Sequence, residues 1–498
     1  MFCEVGVVSQ MKVLLVNPSS SFNPYRPKMT KPPLRIPYGL AYVGSALLHN
    51  DVNVSVWDRN AEPSDIKTTL KRQQPDVLGL SVLTGRAILD AINISEKAKE
   101  IYPDVPIVWG GYHSTLLPEQ TLREPYIDYV VSGDGEYTMM ELVRAIENGS
   151  PVKNVAGLYY KKHSKIKQTK PRPLIQNLDE LPFPAWHLFK MEKYIHYTAF
   201  NERQINLNTS RGCPFNCAFC CEPIFHKRRW RYNSSHRVIA MIRFLKDNYK
   251  CDHITFRESL FVANIKRVEQ ICDRLIAEKL GIGWDCPARI MNWDRALLTK
   301  MKKSGCTSFE FGIETGSPRL LKLLNKQINL DQVEDTFRKC NEVGIIACMN
   351  LIVGLPTETR KDLEMTLSLI NKLKHGIVAV FIFTPFPGTK LYDFVVEERM
   401  FVPPQTLRDW GEFNDKILHG ESIKPFGEVS RRELTGITQR VRDKNARIVR
   451  KLILQKLLKN PGKLFGFTIG ITKHAYTYAL KSTVGRHREF FEAFKNIA

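Results

Sequence analysis

Three cysteines at C-x3-C-x2-C spacing, Cys213, Cys217 and Cys220, constrain this chain more than any other feature. They lie in the run Arg211-Gly212-Cys213-Pro214-Phe215-Asn216-Cys217-Ala218-Phe219-Cys220, straight after the strand-like segment 205–209. Gly212 and Pro214 keep the run from being helical, so a short loop can fold its thiolates around one centre. Thiolates are soft ligands suited to iron–sulfur clusters. A four-iron cluster normally takes four of them, and a loop that offers three leaves one iron open to another ligand. The plainer alternatives are three inert cysteines or a zinc loop. Zinc prefers a closed set of four ligands, usually as two close pairs, and no second pair lies downstream. Cys221 adjoins the triad, but neighbouring side chains rarely reach one metal together.

With 498 residues the chain is too long for one ordinary core, and about three domains are expected. A hydrophobic fraction of 43% with 25% charged residues describes a soluble protein. No apolar run approaches the roughly 18–20 residues that span a bilayer, and the N-terminus has no leader pattern. Residues 1–10 read as a disordered extension or a mis-called start ahead of a first strand that begins near Met11. Eleven cysteines, an odd number and scattered outside the triad, fit a reducing cytoplasm with one cluster better than a disulfide scaffold. The formal charge of +22 admits nucleic acid, an anionic membrane surface or an acidic substrate as partner and cannot choose among them.

Residues 11–150 alternate short apolar strands with helices: strands at 13–17, 52–58, 77–81, 107–109 and 129–131, helices near 39–49, 64–74, 87–101 and 135–146. That pattern predicts a parallel, doubly wound Rossmann-like (flavodoxin-like) sheet, which binds ligands at the carboxyl ends of its strands. Ser81-Val82-Leu83-Thr84, Gly110-Gly111 and Gly133-Asp134-Gly135-Glu136 follow the third, fourth and fifth strands, and glycines there admit a large ligand close to the backbone. His113 reads as a loop residue beside that pocket rather than a metal ligand. Residues 151–204 read as a linker, with two strands around the polar turn 161–165 and a proline-broken connector at 178–186. From 205 to 395 six further βα units predict a partial (β/α)6 barrel, whose chemistry belongs at the carboxyl ends of its strands. The cysteines, Glu258, Arg289, Glu314 and Gly354 fall there.

The triad, with Phe219 just before its last cysteine, resembles the radical S-adenosylmethionine (SAM) superfamily, in which the open iron of a [4Fe-4S] cluster is chelated by SAM. Gly312-Ile313-Glu314-Thr315-Gly316-Ser317, Gly354-Leu355-Pro356-x-Glu358 and Pro385-Phe386-Pro387-Gly388-Thr389 extend the resemblance over nearly all of 205–395. Carried over, Glu314 meets the SAM ribose, Glu258 or Ser259 its ammonium, and Arg289 its carboxylate or a charged partner; Ile352 and Gly354 pack on adenine. A departure sits at Phe256-Arg257-Glu258-Ser259, where relatives often have an acidic pair and this chain has Arg257. The plainer reading of Glu258, Arg289 and Glu314 is a strand-end ion pair. Residues 11–150 resemble a cobalamin-binding domain, with Ser81, Leu83, Thr84, Gly110, Gly111 and Gly133 lining the cofactor pocket. The loop Asn17-Pro18-Ser19-Ser20-Ser21-Phe22-Asn23-Pro24 lacks the D-x-H-x-x-G histidine, so it offers no His ligand to cobalt. A degenerate domain that binds nothing is the alternative.

Together these resemble the cobalamin-dependent radical SAM enzymes. The resemblance implies reductive cleavage of SAM to a 5′-deoxyadenosyl radical, then methylation of an unactivated carbon of a small biosynthetic molecule, with flavodoxin or ferredoxin as electron donor. Oxidative cyclisation or rearrangement on a tetrapyrrole, and a non-catalytic cobalamin-binding regulator, are the rivals. A tRNA methylthiotransferase would need further N-terminal cysteines, and only Cys3 precedes the triad. Residues 396–498 are expected to be helical and basic, with sixteen lysines and arginines against four acidic residues from Arg431 onward. A solvated helical face is favoured there over peripheral membrane contact. No nucleic-acid reader module is recognisable. Trp410 and Pro403-Pro404 suggest an ordered segment that closes over the barrel mouth.

Overall fold

The structure is a computed structural model and describes residues 11–20, 34–163, 165–197, 202–373, 375–419, 425–430 and 432–441, with 443, 445 and 448 besides. The first sheet holds β1 (Lys12–Asn17), β2 (Asn53–Asp58), β3 (Val77–Ser81), β4 (Ile107–Gly110), β5 (Tyr129–Val131), β6 (Leu158–Lys162) and β7 (Lys165–Gln168), in the order 2-1-3-4-5-6-7. The first five strands pair in parallel, and β6 and β7 add an antiparallel hairpin beyond β5. Strand order therefore reverses between β1 and β3, the switch point of a flavodoxin-like sheet. The hairpin falls within the stretch read as linker from sequence. Its polar turn at 161–165 separates two strands as expected, and those strands complete the first sheet.

After the short β8 (His196–Tyr197) and the first barrel strand β9 (Arg203–Leu207), a two-stranded ladder forms from β10 (Ser210–Arg211) and β11 (Arg231–Tyr232). The cysteine loop is the excursion between them. Then β12 (His253–Phe256), β13 (Gly283–Ala288), β14 (Cys306–Glu314), β15 (Ile346–Val353) and β16 (Ile377–Ile382) join β9 in chain order, all parallel. These six strands form a curled half-barrel, as the six βα units predict. Along β14 and β15 buried and half-buried residues alternate. Phe309, Phe311, Met349 and Leu351 face the covering helices, while Glu310, Cys348 and Asn350 face the inner side.

One apolar core runs from the first sheet through Tyr38, Tyr42 and Trp186 into the barrel. A second joins Leu14, Val82 and Trp109 to Ala218 of the cysteine loop, Leu324, Leu391 and Trp410. The helix Leu407–His419 does not roof the half-barrel. Its Gly411 sits against Leu89, its Arg408 pairs with Glu96, and its Trp410 indole donates to Gln120. Gly411 and Arg408 thus lay this helix on the first sheet's own helix Ala87–Ile101, while Trp410, 1% exposed, is held by Gln120 and the edge of His113. The chain then returns to the barrel, where Val429, Leu434 and Ile437 cover Val353. Most of the basic region from Arg431 onward, including everything beyond 448, lies outside the described residues.

The two sheets are also joined by buried charge. Asp134 and Glu136, just past β5, receive Arg211 and Arg231 from the β10–β11 ladder: Arg231 and Arg211 both bond Asp134, and Arg211 reaches Glu136 at 2.5 Å. Arg231 also donates to the Ile175 carbonyl and to His226 Nδ1, each at 2.8 Å. Removing one partner of such a set leaves a charge stranded in the interior. Arg231→Met is expected to destabilise the protein by about 3–5 kcal/mol in denaturant melting, and adding Asp134→Asn is expected to restore part of that loss.

Candidate functional site

The cysteine loop is pinned at its base and its middle. Gly212 has φ +81, and a Cβ there would stand 2.3 Å from the Arg229 carbonyl oxygen, so only glycine lets the two ends of the loop close. Between the second and third cysteines the Ala218 amide donates to the Leu324 carbonyl, and its own carbonyl accepts from the Leu391 amide, at 2.8 and 2.9 Å. Asn325 Nδ2 holds the Asn216 carbonyl at 2.8 Å. Phe219 packs into the second core.

Cys213, Cys217 and Cys220 are half-buried. Burial pushes the Cys213 and Cys220 thiols upward, the neighbouring Cys217 adds to both shifts, and the amides of Phe215 and Glu222 pull the other way. Among the described residues no three His, Cys, Asp or Glu side chains stand together as a preassembled metal site. The donor set still fits a cluster with an open iron: three half-buried thiols on one tethered loop, with Cys217 acting on both Cys213 and Cys220. The adjacent Cys221 is held up to about 12 by burial and by Glu222. Arg289 lies 3.7 Å over the Phe215 ring, donates to the Gln327 carbonyl and favours the Cys213 thiolate.

Toward the carboxyl ends of the barrel strands the sequence-derived residues divide. Glu314 has φ +72 at a register shift between β14 and β15, and its Oε1 accepts from Lys326 at 2.7 Å. Sequence reasoning missed Lys326, which lies outside every motif. Gly354 donates to Glu358 Oε2 at 2.5 Å, and a Cβ there would meet Leu434 at 2.7 Å, so one side of this turn is covered by the C-terminal segment. Ile352 is half-buried beside the second core. Glu258 turns away from open space: one oxygen accepts from Thr209 at 2.7 Å, the other from Ser210, and Arg267 lies beside them. Ser259 is exposed. Arg257 pairs with Glu310 at 2.8 Å on the inner face.

On the first sheet, Ser81 is paired in register with Gly110, and the Val82 amide donates to the Gly110 carbonyl at 2.8 Å. Gly111 has φ +89, and a Cβ there would meet the Val82 backbone at 2.9 Å. This close packing brings Ser81, Leu83, Thr84, Gly110 and Gly111 to one edge. Leu83 is 53% exposed, and no atom lies within 4 Å of a Cβ built on Gly133. An exposed leucine and open space over a glycine at the strand ends form a cradle suited to a large, partly apolar ring. His113 is not a loop residue: it lies in the helix Tyr112–Leu116, fully buried, with Nδ1 3.2 Å from Thr84 Oγ1. Burial lowers its pKa to about 3, so the ring is neutral. Of the histidine-less loop after β1, Asn17–Ser20 are described, and the Ser19 amide donates to the buried Asp90 at 2.6 Å.

The two edges meet at Tyr112. Its hydroxyl donates to Glu222 Oε1 at 2.5 Å and its ring stacks on Phe225 at 4.4 Å. Tyr112 follows Gly110-Gly111, and Glu222 follows Cys220 by two residues. No periodicity marks either residue, because their partnership exists only across the seam.

Comparison with known proteins agrees with this arrangement. Residues 34–143 match the B12 binding domain and residues 207–370 the radical SAM superfamily. An uncharacterized methyltransferase of Pyrococcus horikoshii is 37% identical over 79% of this chain and 84% of its own length. An anaerobic magnesium-protoporphyrin IX monomethyl ester cyclase of Rubrivivax gelatinosus is 28% identical over 82% of this chain and 76% of that protein. The structure of TsrM from Kitasatospora setae, a radical S-adenosylmethionine methyltransferase with cobalamin and a [4Fe-4S] cluster bound, shares the fold at a TM-score of 0.66 and 18% identity, over 78% of this chain and 75% of that one. The chain belongs to the radical SAM superfamily, in the branch that carries a B12-binding domain. It is a cobalamin-dependent radical SAM enzyme, with a [4Fe-4S] cluster, SAM and cobalamin as cofactors.

Burial pushes both Glu258 and Glu358 up to about 7. Each folded-state pKa lies above the unfolded value of about 4.3, so the fold favours the protonated carboxyl. Their contribution to stability is complete below that value and declines as pH rises toward 7. Thermal melting at about pH 5 and about pH 8 is expected to show a smaller loss for the Glu258→Gln/Glu358→Gln protein than for the wild type.

Proposed function

We propose that this enzyme methylates an unactivated carbon of a small biosynthetic molecule. The observation that carries the reading is the direct joining of the thiol loop to the Gly110-Gly111 and Gly133 turns, through Tyr112–Glu222 and through Arg211 and Arg231 with Asp134 and Glu136. A methyl transfer that uses two cofactors needs both held against one substrate position, and residues shared between the two edges fix that spacing. The similarity to a protein named as a methyltransferase supports the same reading.

In this reading Cys213, Cys217 and Cys220 hold the cluster, and Ser81, Leu83, Thr84, Gly110, Gly111 and Gly133 cradle cobalamin. Bound together, the cofactors supply reductive SAM cleavage and a methyl group, chemistry that no side chain provides. The chain's own residues bind, orient and screen. Glu314 and Lys326 offer a carboxylate and an ammonium to the ribose hydroxyls. Arg289, stacked beside Cys213, meets the SAM carboxylate. Ile352 supplies an apolar wall, while the covered side of Gly354 leaves only its other face for adenine. Glu258 is committed to Thr209 and Ser210, so it positions the β9–β10 turn, and the exposed Ser259 is left for the SAM ammonium. The inner face, with Arg257–Glu310 and Asn350, is polar and suits a substrate that carries hydrogen-bonding groups. No nucleic acid is required, and no helix among the described residues is long and apolar enough to cross a membrane.

Oxidative cyclisation is the second reading, favoured by the similarity to a magnesium-protoporphyrin cyclase. Anaerobic turnover separates them. Methylation yields S-adenosylhomocysteine together with 5′-deoxyadenosine, and deoxyadenosine without S-adenosylhomocysteine would decide for cyclisation or rearrangement. The Cys213→Ala/Cys217→Ala/Cys220→Ala protein is expected to lose bound iron and both products while keeping its cobalamin.

A further inference from the structure

Between Cys220 and β11 the cysteine loop makes a turn, Lys227-Arg228-Arg229, with all three residues exposed. Lys227 and Arg228 have φ +51 and +57, consecutive left-handed conformations that non-glycine residues seldom adopt. Strain of this kind persists only where the surroundings hold it. Here the Arg229 amide donates to the His226 carbonyl at 2.9 Å, and the Arg229 carbonyl closes on Gly212, the residue before Cys213. The turn is therefore seated on the base of the thiol loop.

The three cations are also unspent. Among the described residues none of them forms an ion pair or a side-chain hydrogen bond, although carboxylates are close by in the chain. Glu222 is turned inward to Tyr112 and His226, and Asp134 and Glu136 are taken by Arg211 and Arg231. Glu222, Asp134 and Glu136 are thus engaged inward, which leaves the three cations of the turn exposed outside. Beside it Tyr232, 40% exposed, stacks on Trp230 at 4.5 Å, and an aromatic flank of this kind is common at protein interfaces.

We propose that Lys227-Arg228-Arg229 is the docking surface for an acidic one-electron carrier protein, an inference that rests on the cluster reading of the adjoining cysteines. Reductive SAM cleavage takes one electron that the protein does not itself hold. A reduced carrier would give up that electron and leave oxidised by one; the cluster that Cys213, Cys217 and Cys220 would hold would supply the one-electron cleavage of the SAM sulfonium carbon–sulfur bond. A carrier with a negative face meets this turn through complementary charge, which steers encounter and weakens with salt.

The test compares two reductants on the anaerobically reconstituted full-length protein. In the variant Lys227→Asn/Arg228→Asn/Arg229→Gln the charges are removed, and asparagine tolerates the left-handed backbone. With reduced flavodoxin at low ionic strength, deoxyadenosine formation is expected to slow by about tenfold or more. With dithionite the variant and the wild type should agree, and raising the salt should slow the flavodoxin-driven wild type toward the variant. Equal flavodoxin rates in the two proteins would overturn the proposal, as would an equal loss with both reductants, the mark of a merely structural turn. Loss of binding to a single-stranded RNA oligonucleotide, with flavodoxin kinetics untouched, would assign the surface to nucleic acid instead and overturn it equally. A wild type that holds no iron and releases no deoxyadenosine with dithionite would instead refute the cluster reading, an outcome distinct from failed docking.

Discussion

Asp134, Glu136, Arg211 and Arg231 bring two carboxylates and two guanidinium groups into a region where Asp134 and Arg231 are almost fully buried. Taking such charges out of water costs several kcal/mol per ion, and their mutual attraction roughly offsets that cost only when the geometry is good. The set is therefore a poor source of net stability. Its value lies in direction, because a small rotation of one sheet against the other would strand a charge. Adhesion comes from the two apolar cores that cross the seam, and burial of that kind tolerates sliding. Hydrophobic surface holds the halves together, and the buried ions select one arrangement.

That arrangement aligns the functional edges. Asp134 and Glu136 follow Gly133 directly, and Arg211 precedes Cys213 by two residues. His226 extends the network: its Nδ1 accepts from Arg231, so the neutral ring carries its proton on Nε2, toward Glu222 at 3.7 Å. Burial depresses the His226 pKa, which keeps the ring in that neutral form. The chain of contacts then runs from Gly133 through Arg231, His226 and Glu222 to Tyr112 beside Gly111.

Much of this was legible in sequence, and the division has a physical cause. Strands such as Val77–Ser81 and Ile346–Val353 declare themselves because burial on one or both faces writes a local pattern. The cysteine triad declares itself because ligation demands fixed spacing on a short loop. Asp134–Arg231 spans 97 residues and Tyr112–Glu222 spans 110, and pairs so far apart leave no periodic trace. Lys326 is one lysine in a basic chain until the fold sets it against Glu314. Trp410 reads in sequence as part of a segment over the barrel mouth and is found elsewhere, because its partners Gln120 and Tyr392 lie on different halves of the molecule and leave no local pattern.

Burial sets five of the described cysteines apart from the loop. Cys251, Cys272, Cys286, Cys306 and Cys340 are buried, and in each case burial holds the thiol well above its ordinary value. Enclosed on all sides, these side chains behave as small apolar residues in the barrel wall. The loop cysteines differ in access: half-buried, on backbone held at Gly212 and Ala218, they can reach solvent and one another. Strain follows the same geography. Glu314 occupies left-handed backbone at a break in the β14–β15 register, where a carboxylate alone would be costly, and Lys326 compensates its charge. Because the bulge fixes the backbone and the lysine fixes the carboxylate, the direction of this side chain is set before any ligand arrives.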